Sequence, residues 1–180
     1  VQLPALIYSP RLRIQQLRYE EADEIFYTYA SKLEATRYVL WPTHHSVNDT
    51  RQFLKRTIAA WKAGREFSYG IRTADQSRLI GSFGVVVQQQ SAQFGYILSP
   101  THWGRGFATE VCRAVLPLLT VQADITRIWT LVDCDNTASI RVLQKAGLQR
   151  ERHLQQWQRF VNQDNKLKDC FIYALPANTG

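Results

Sequence analysis

Apolar positions along the chain switch several times between a two-residue and a helical period, and the switching sketches a fold. Over 11–17, Leu12, Ile14 and Leu17 sit among polar neighbours in a mostly alternating pattern, which predicts a strand. A polar helix is expected over about 20–31. An irregular stretch, 38–45, follows it, rich in aromatics and His and containing Pro42. Ser46 with Asp49 three positions on comes close to a capping box, so a second helix is expected to start there. Leu54, Ile58 and Trp61 fall at i, i+4 and i+7 within it, and Gly64 is a natural stop.

Strands come next. The first covers 67–72. In the second, Leu79, Gly81, Phe83, Val85 and Val87 alternate with Ile80, Gly84 and Val86, so both faces read as buried. Gln88-Gln89-Gln90 reads as a hairpin turn into a third strand, 93–98, ended by Ser99-Pro100. Phe107, Val111, Ala114, Val115 and Leu118 then mark an amphipathic helix, which Pro117 is expected to kink or end early. A strand over 125–132 and a helix over 137–146, stopped by Gly147, complete a strand-loop-helix-strand-loop-helix unit. Two last strands, about 148–160 and 169–175, flank the polar loop 162–168. No linker or repeat divides 1–180, so one α+β (mixed α/β) domain with helices on both faces of its sheet is expected.

Composition narrows the class. A chain of 180 residues that is 45% apolar has enough material for a core. No apolar run reaches the roughly 20 residues that span a bilayer, so no membrane partner is expected. Arg11 and Arg13 interrupt any early signal-peptide pattern, and Val1 in a chain without Met is not expected to be the translation start. Cys112, Cys134 and Cys170 lack metal-type spacing, and such a scattered odd set suits a reducing, cytoplasmic setting. No metal is expected. The net charge of +7 calls for an anionic partner, yet the basic residues are dispersed rather than blocked. That favours a polyanionic small molecule over nucleic acid.

The sharpest local signal is a strand, a turn and a glycine loop opening a helix: Tyr96-Ile97-Leu98-Ser99-Pro100-Thr101-His102-Trp103-Gly104-Arg105-Gly106-Phe107-Ala108-Thr109-Glu110. A helix N-terminus leaves about four N–H groups unpaired and carries partial positive charge. Glycines let a phosphate approach those donors, and Arg105 could add an ion pair. A Walker loop would require Gly-Lys-Ser/Thr, which is absent. A dinucleotide fold would place its glycines after the first strand, with an acidic residue about 20 positions on. Here the loop follows the fourth expected strand and nothing acidic lies at 125–130.

In element order and loop sequence the chain resembles the GNAT superfamily of acyl-CoA-dependent N-acyltransferases. Gly106-x-Ala108 matches the end of the family's Gln/Arg-x-x-Gly-x-Gly/Ala, with Trp103 at the Gln/Arg position. Trp103 to Glu110 is similar to the Trp-Gly-Lys/Arg-Gly-Tyr/Phe-Ala-Thr-Glu of the ribosomal-protein alanine and serine N-terminal acetyltransferases. Asn136 to Leu148 resembles the same subgroup's second block, Asn-x-x-Ser-x-x-x-x-x-Lys-x-Gly-Phe. The opening strand and Asp169 to Leu175 agree, so the likeness spans nearly the whole chain.

The resemblance implies a twisted, mostly antiparallel mixed sheet of about seven strands, splayed after the fourth, with acetyl-CoA entering the gap. It implies backbone contacts from Tyr96, Ile97 and Leu98 to the pantetheine, with an N–H near Leu98 polarising the thioester carbonyl. It also implies pyrophosphate binding by Gly104, Arg105, Gly106, Phe107, Ala108 and Thr109, and a pantetheine contact from Asn136, which doubles as a helix N-cap. The product would be an acetylated primary amine, on a protein N-terminus such as a ribosomal protein's; a small-molecule amine and a CoA-binding module without turnover are the alternatives. Many members protonate the leaving thiolate with a Tyr four residues after the Ser139 position; Leu143 stands there, leaving Ser139 as the available hydroxyl. Where relatives carry a basic Glu, this chain has Gln93 and Gln158, so no general base is assigned. The loop with Tyr38 and Trp41 is expected on the acceptor side, and adjacent His44 and His45 point apart, which disfavours a shared metal.

Overall fold

A computed structural model describes residues 1–176. Its strands are β1 (Leu6–Tyr8), β2 (Leu12–Gln16), β3 (Glu66–Thr73), β4 (Leu79–Gln88), β5 (Ser91–Leu98), β6 (Arg127–Asp133), β7 (Gln149–Phe160) and β8 (Lys166–Ala174). They form one eight-stranded sheet in the order β1-β2-β3-β4-β5-β6-β8-β7. Every neighbouring pair is antiparallel except β5 and β6, which run parallel. The helices are α1 (Ala22–Ile25), α2 (Leu33–Thr36), α3 (Val47–Lys62), α4 (Phe107–Thr120) and α5 (Thr137–Lys145). A 3-10 turn at Tyr19–Glu21 and a π turn at Phe26–Ala30 extend α1 at both ends.

Two apolar clusters cover the two faces of the sheet. Val111, Val115 and Leu119 of α4 and Leu143 of α5 pack against Ile14, Phe83 and Phe94 on one side. Ile25, Tyr29 and Leu54 pack on Leu79 and Ile97 on the other. From Gly81 onward the alternation read from β4 sets this division, whereas the register irregularity opposite Ile71–Arg72 puts Leu79 on the other face from Phe83 and corrects the expectation that the two share one. α3 starts as its sequence indicates: the Ser46 hydroxyl accepts from Asp49 N, and the Asp49 carboxylate accepts from Ser46 N at 3.1 Å.

Pro117 does not end α4, which continues to Thr120. The ring removes only the N–H that would reach the Arg113 carbonyl, and the buried Val115, Leu116 and Leu119 hold the last turn in place. The short β1 and α2 have no counterpart among the expected elements, and the sheet accordingly has eight strands rather than about seven.

One feature of the sheet positions the site. β5 and β6 pair only over Ser91–Gln93 and Arg127–Trp129. The Thr130 hydroxyl then donates to the Phe94 carbonyl at 2.7 Å, and past that bridge the strands part. One edge of β5, from Gly95 to Leu98, therefore faces a gap instead of a neighbouring strand. This is the splay expected after the strand at 93–98.

Candidate active site

The gap opens directly onto the start of α4. Ser99 to His102 turn the chain at the end of β5, and the Trp103 indole N–H folds back to donate to the Leu98 carbonyl at 3.0 Å. Gly104 and Gly106 follow with φ of 69° and 78°, left-handed conformations that side-chain-bearing residues seldom adopt. Gly106 is the N-cap of α4, and no side chain caps that terminus. The first intrahelical bond is Glu110 N to Gly106 O, so the N–H groups of Phe107, Ala108 and Thr109 have no partner within the helix. A Cβ added at Gly104 would meet nothing within 4 Å, whereas one at Gly106 would lie 3.5 Å from Arg11 Nη2.

The loop is braced from behind. Glu110 accepts from Ser9 Oγ at 2.7 Å, from Arg11 N at 2.8 Å and from Arg11 Nε at 2.6 Å. Arg11 Nη1 in turn donates to the Arg105 carbonyl at 3.0 Å. In a trans peptide the C=O and the following N–H point opposite ways, so this bond turns the Gly106 N–H away from Arg11. The Arg105 and Arg11 guanidinium groups both lie over the Phe107 ring, at 5.0 and 4.4 Å from its centroid. Arg105 does not line the main cavity, whereas Trp103, Gly104, Gly106, Phe107, Ala108 and Thr109 do.

That cavity measures about 1430 Å³ and runs through the gap from the α4 terminus to the loop after α2. Across it from β5 stands α5. The Asn136 side chain accepts from Ser139 N at 3.2 Å, as an N-cap does, and still faces the cavity. The Ser139 hydroxyl lies 2.7 Å from the Tyr96 hydroxyl. Leu143 is buried in the core at 1% exposure and brings no polar group to this wall. All the residues singled out on 96–98, together with Asn136 and Ser139, converge on this one cavity.

The far wall is built by Tyr38, Trp41 and Phe53 on one side and by Gln93 and Glu66 on the other. Glu66 was not singled out by sequence; it opens β3, and its Oε1 accepts from Thr57 at 2.8 Å and Ser68 at 3.0 Å. No motif surrounds it, and only strand pairing brings it to the cavity. The rim is clasped by Asn162, from the turn between β7 and β8. Its Nδ2 donates to the Thr36 and Trp41 carbonyls at 2.8 and 2.9 Å, and its Oδ1 accepts from Thr43 N at 2.9 Å. Gln158 stays off the cavity, with its amide on the Arg159 carbonyl, and His153 lies on the surface 3.4 Å from Asp169. His44 is packed beside the stacked Trp41 and Phe53 rings with Nδ1 2.7 Å from Thr50 Oγ1, and burial lowers its pKa. Among the described residues no cluster of three or more metal-ligating side chains occurs.

The sequence model of the Acetyltransferase (GNAT) domain family matches residues 11–149. The chain belongs to the GNAT family. It is an acetyl-CoA-dependent N-acetyltransferase. A Bacillus subtilis relative, the uncharacterized N-acetyltransferase YoaA, is 29% identical over 94% of this chain and 96% of its own. Among solved structures, the ribosomal-protein alpha-N-acetyltransferase RimL in complex with coenzyme A superposes with a TM-score of 0.86. The identity is 19%, covering 97% of this chain and 99% of RimL. The microcin self-immunity acetyltransferase MccE, in complex with acetyl-CoA and AMP, gives a TM-score of 0.83 at 16% identity and 92% coverage of both chains. At these identities the two structures speak to the fold.

For a GNAT enzyme, the splay and the uncapped helix suit acetyl-CoA. A pyrophosphate placed at the α4 terminus would meet a row of donors and a helix dipole, and the open β5 edge has backbone groups for the amides of an extended pantetheine. Burial pushes the Cys112 thiol up to about 12, so that cysteine stays protonated and unreactive behind the cavity.

Proposed function

We propose that this acetyltransferase acts on a primary amine at a protein N-terminus, with acetyl-CoA held by Gly104 to Thr109 and by the β5 edge. The α4 terminus carries the reading: two positive-φ glycines and an uncapped row of N–H donors at the mouth of the gap. Trp103 shapes the loop from the Leu98 carbonyl, and Arg105 sits beside it as the nearby cation. The backbone of Tyr96, Ile97 and Leu98 and the Asn136 amide line the pantetheine path, and Ser139 serves the leaving thiolate. Residues 1–180 act as one domain, and the enzyme works in the cytoplasm.

The acceptor side supports an amine at the end of a narrow chain. Tyr38, Trp41 and Phe53 give an apolar wall for a first side chain, and the Asn162 clasp restricts the rim. RimL is named for a ribosomal-protein N-terminus, which agrees with that shape. The same clasp would admit a small-molecule amine, and MccE keeps that alternative alive. A screen of CoA release with N-terminal peptides beginning Ser or Ala beside small amines separates the two. Peptide turnover is expected. Turnover confined to small amines would move the reading to a small acceptor, and CoA binding without turnover would leave a binding module.

A further inference from the structure

The Tyr96–Ser139 hydrogen bond joins the two lips of the gap. Tyr96 belongs to β5, and Ser139 belongs to α5, which follows β6. A serine in a helix can turn its hydroxyl to solvent or back to a carbonyl of the preceding turn. Here the hydroxyl is 2.7 Å from the phenol instead, while Asn136 Oδ1 holds the backbone N–H of the same residue. Ser139 is thus fixed at both ends, by β5 and by its own N-cap.

From this geometry we infer that Tyr96 is a positioning residue: its hydroxyl donates to Ser139 Oγ and so leaves the Ser139 proton aimed at the sulfur of CoA. The inference rests on the acetyltransferase reading above. The phenol is the more acidic of the two hydroxyls, so it is the natural donor, and a donated bond polarises the serine O–H and strengthens it in turn. Burial raises the Tyr96 pKa, which keeps the phenol protonated through the working range. In the transfer the amine nitrogen bonds to the acetyl carbon and loses one proton to water. The C–S bond breaks with its electron pair going to sulfur, and the thiolate later takes a proton from solvent. The Ser139 hydroxyl stabilises that negative charge by hydrogen bonding as it forms. A buried Leu143 then needs no replacement on α5, because the supporting phenol comes from β5.

The test needs no acceptor. CoA itself is the probe, bound to the whole protein, and its thiolate is followed by ultraviolet difference absorbance against pH. In the unaltered protein the bound thiol should ionise at lower pH than free CoA. Ser139→Ala should cut the thiolate fraction at a given pH about tenfold, and Tyr96→Phe several-fold, with no further loss when the second change is added to the first. 3-Fluorotyrosine at position 96, a stronger donor of nearly the same shape, should shift ionisation the opposite way. That variant decides the matter if Tyr96→Phe does not fold. An unmoved thiol titration in Tyr96→Phe or in the fluorotyrosine protein, with CoA still bound, overturns the role of Tyr96. Failure of the unaltered protein to bind CoA overturns the acetyl-CoA reading itself.

Discussion

At Cys112 and Cys170 burial lifts both thiols to about 12, so neither supplies thiolate near neutrality. Cys134 is partly exposed, and desolvation with Asp169, Asp133 and Asp135 nearby raises its thiol as well. We propose that the amine attacks the thioester directly, because none of the three thiols is activated to carry the acetyl group. Brief iodoacetamide treatment of the folded protein should label Cys134 alone and leave acetyl transfer intact, with sequential rather than ping-pong kinetics. Activity lost in step with labelling, or an acetyl-cysteine trapped by mass spectrometry, would contradict it. The His44 ring, held by Thr50 beside Trp41 and Phe53, also looks chemical in the sequence but packs the loop after α2.

Helix α1 is tied to the sheet by charge as well as by packing. Arg72 on β3 reaches Glu21 Oε1 and Glu24 Oε2, both at 2.6 Å, and its side chain and that of Glu21 are 8% and 5% exposed. The Arg72 guanidinium holds the Glu24 carboxyl below its usual range. Arg72→Met keeps the length of the side chain but leaves the buried Glu21 with Arg18 alone, through its N–H at 2.7 Å and its guanidinium at 3.9 Å, a loss of up to about 3 kcal/mol. Urea unfolding at neutral pH should show that loss, and an unchanged midpoint would contradict the assignment. This cluster was not legible in the sequence, because Glu21, Glu24 and Arg72 meet only through tertiary packing. What was legible is local. The Ser46–Asp49 cap, the alternation along β4 and β5 and the Gly104–Gly106 loop each carry their own signal within a few residues. Short β1 is too brief to alternate visibly, and Pro117 overstated its effect because a single lost hydrogen bond is outweighed by three buried neighbours in the last turn of α4. The same reasoning explains the site. The glycine loop at the start of α4 could be read from sequence order, whereas Tyr96 facing Ser139, Glu66 on the cavity wall and Asn162 on the rim depend on which strands lie side by side.

Across the whole molecule the parallel β5–β6 pair is the organising element. Three residues of pairing close the sheet, and the divergence beyond them creates a cavity that α4, α5 and the loop after α2 then line. The net charge of +7 matches a polyanionic co-substrate in sign, yet charge alone would not place it. On the proposed reading, placement comes from the α4 terminus, which Glu110 and Arg11 brace. The central claim, that this terminus holds the pyrophosphate of acetyl-CoA, is tested most directly by calorimetry of CoA binding to the unaltered protein and to Gly106→Asp. The aspartate would carry a side chain at φ of 78° with its Cβ 3.5 Å from Arg11 Nη2, so it would strain the loop and draw Arg11 off the Arg105 carbonyl that it braces. The account predicts at least a hundredfold weaker binding, about 2.7 kcal/mol, in a variant whose circular dichroism still reports the folded domain. Equal affinity in a folded Gly106→Asp protein would contradict it.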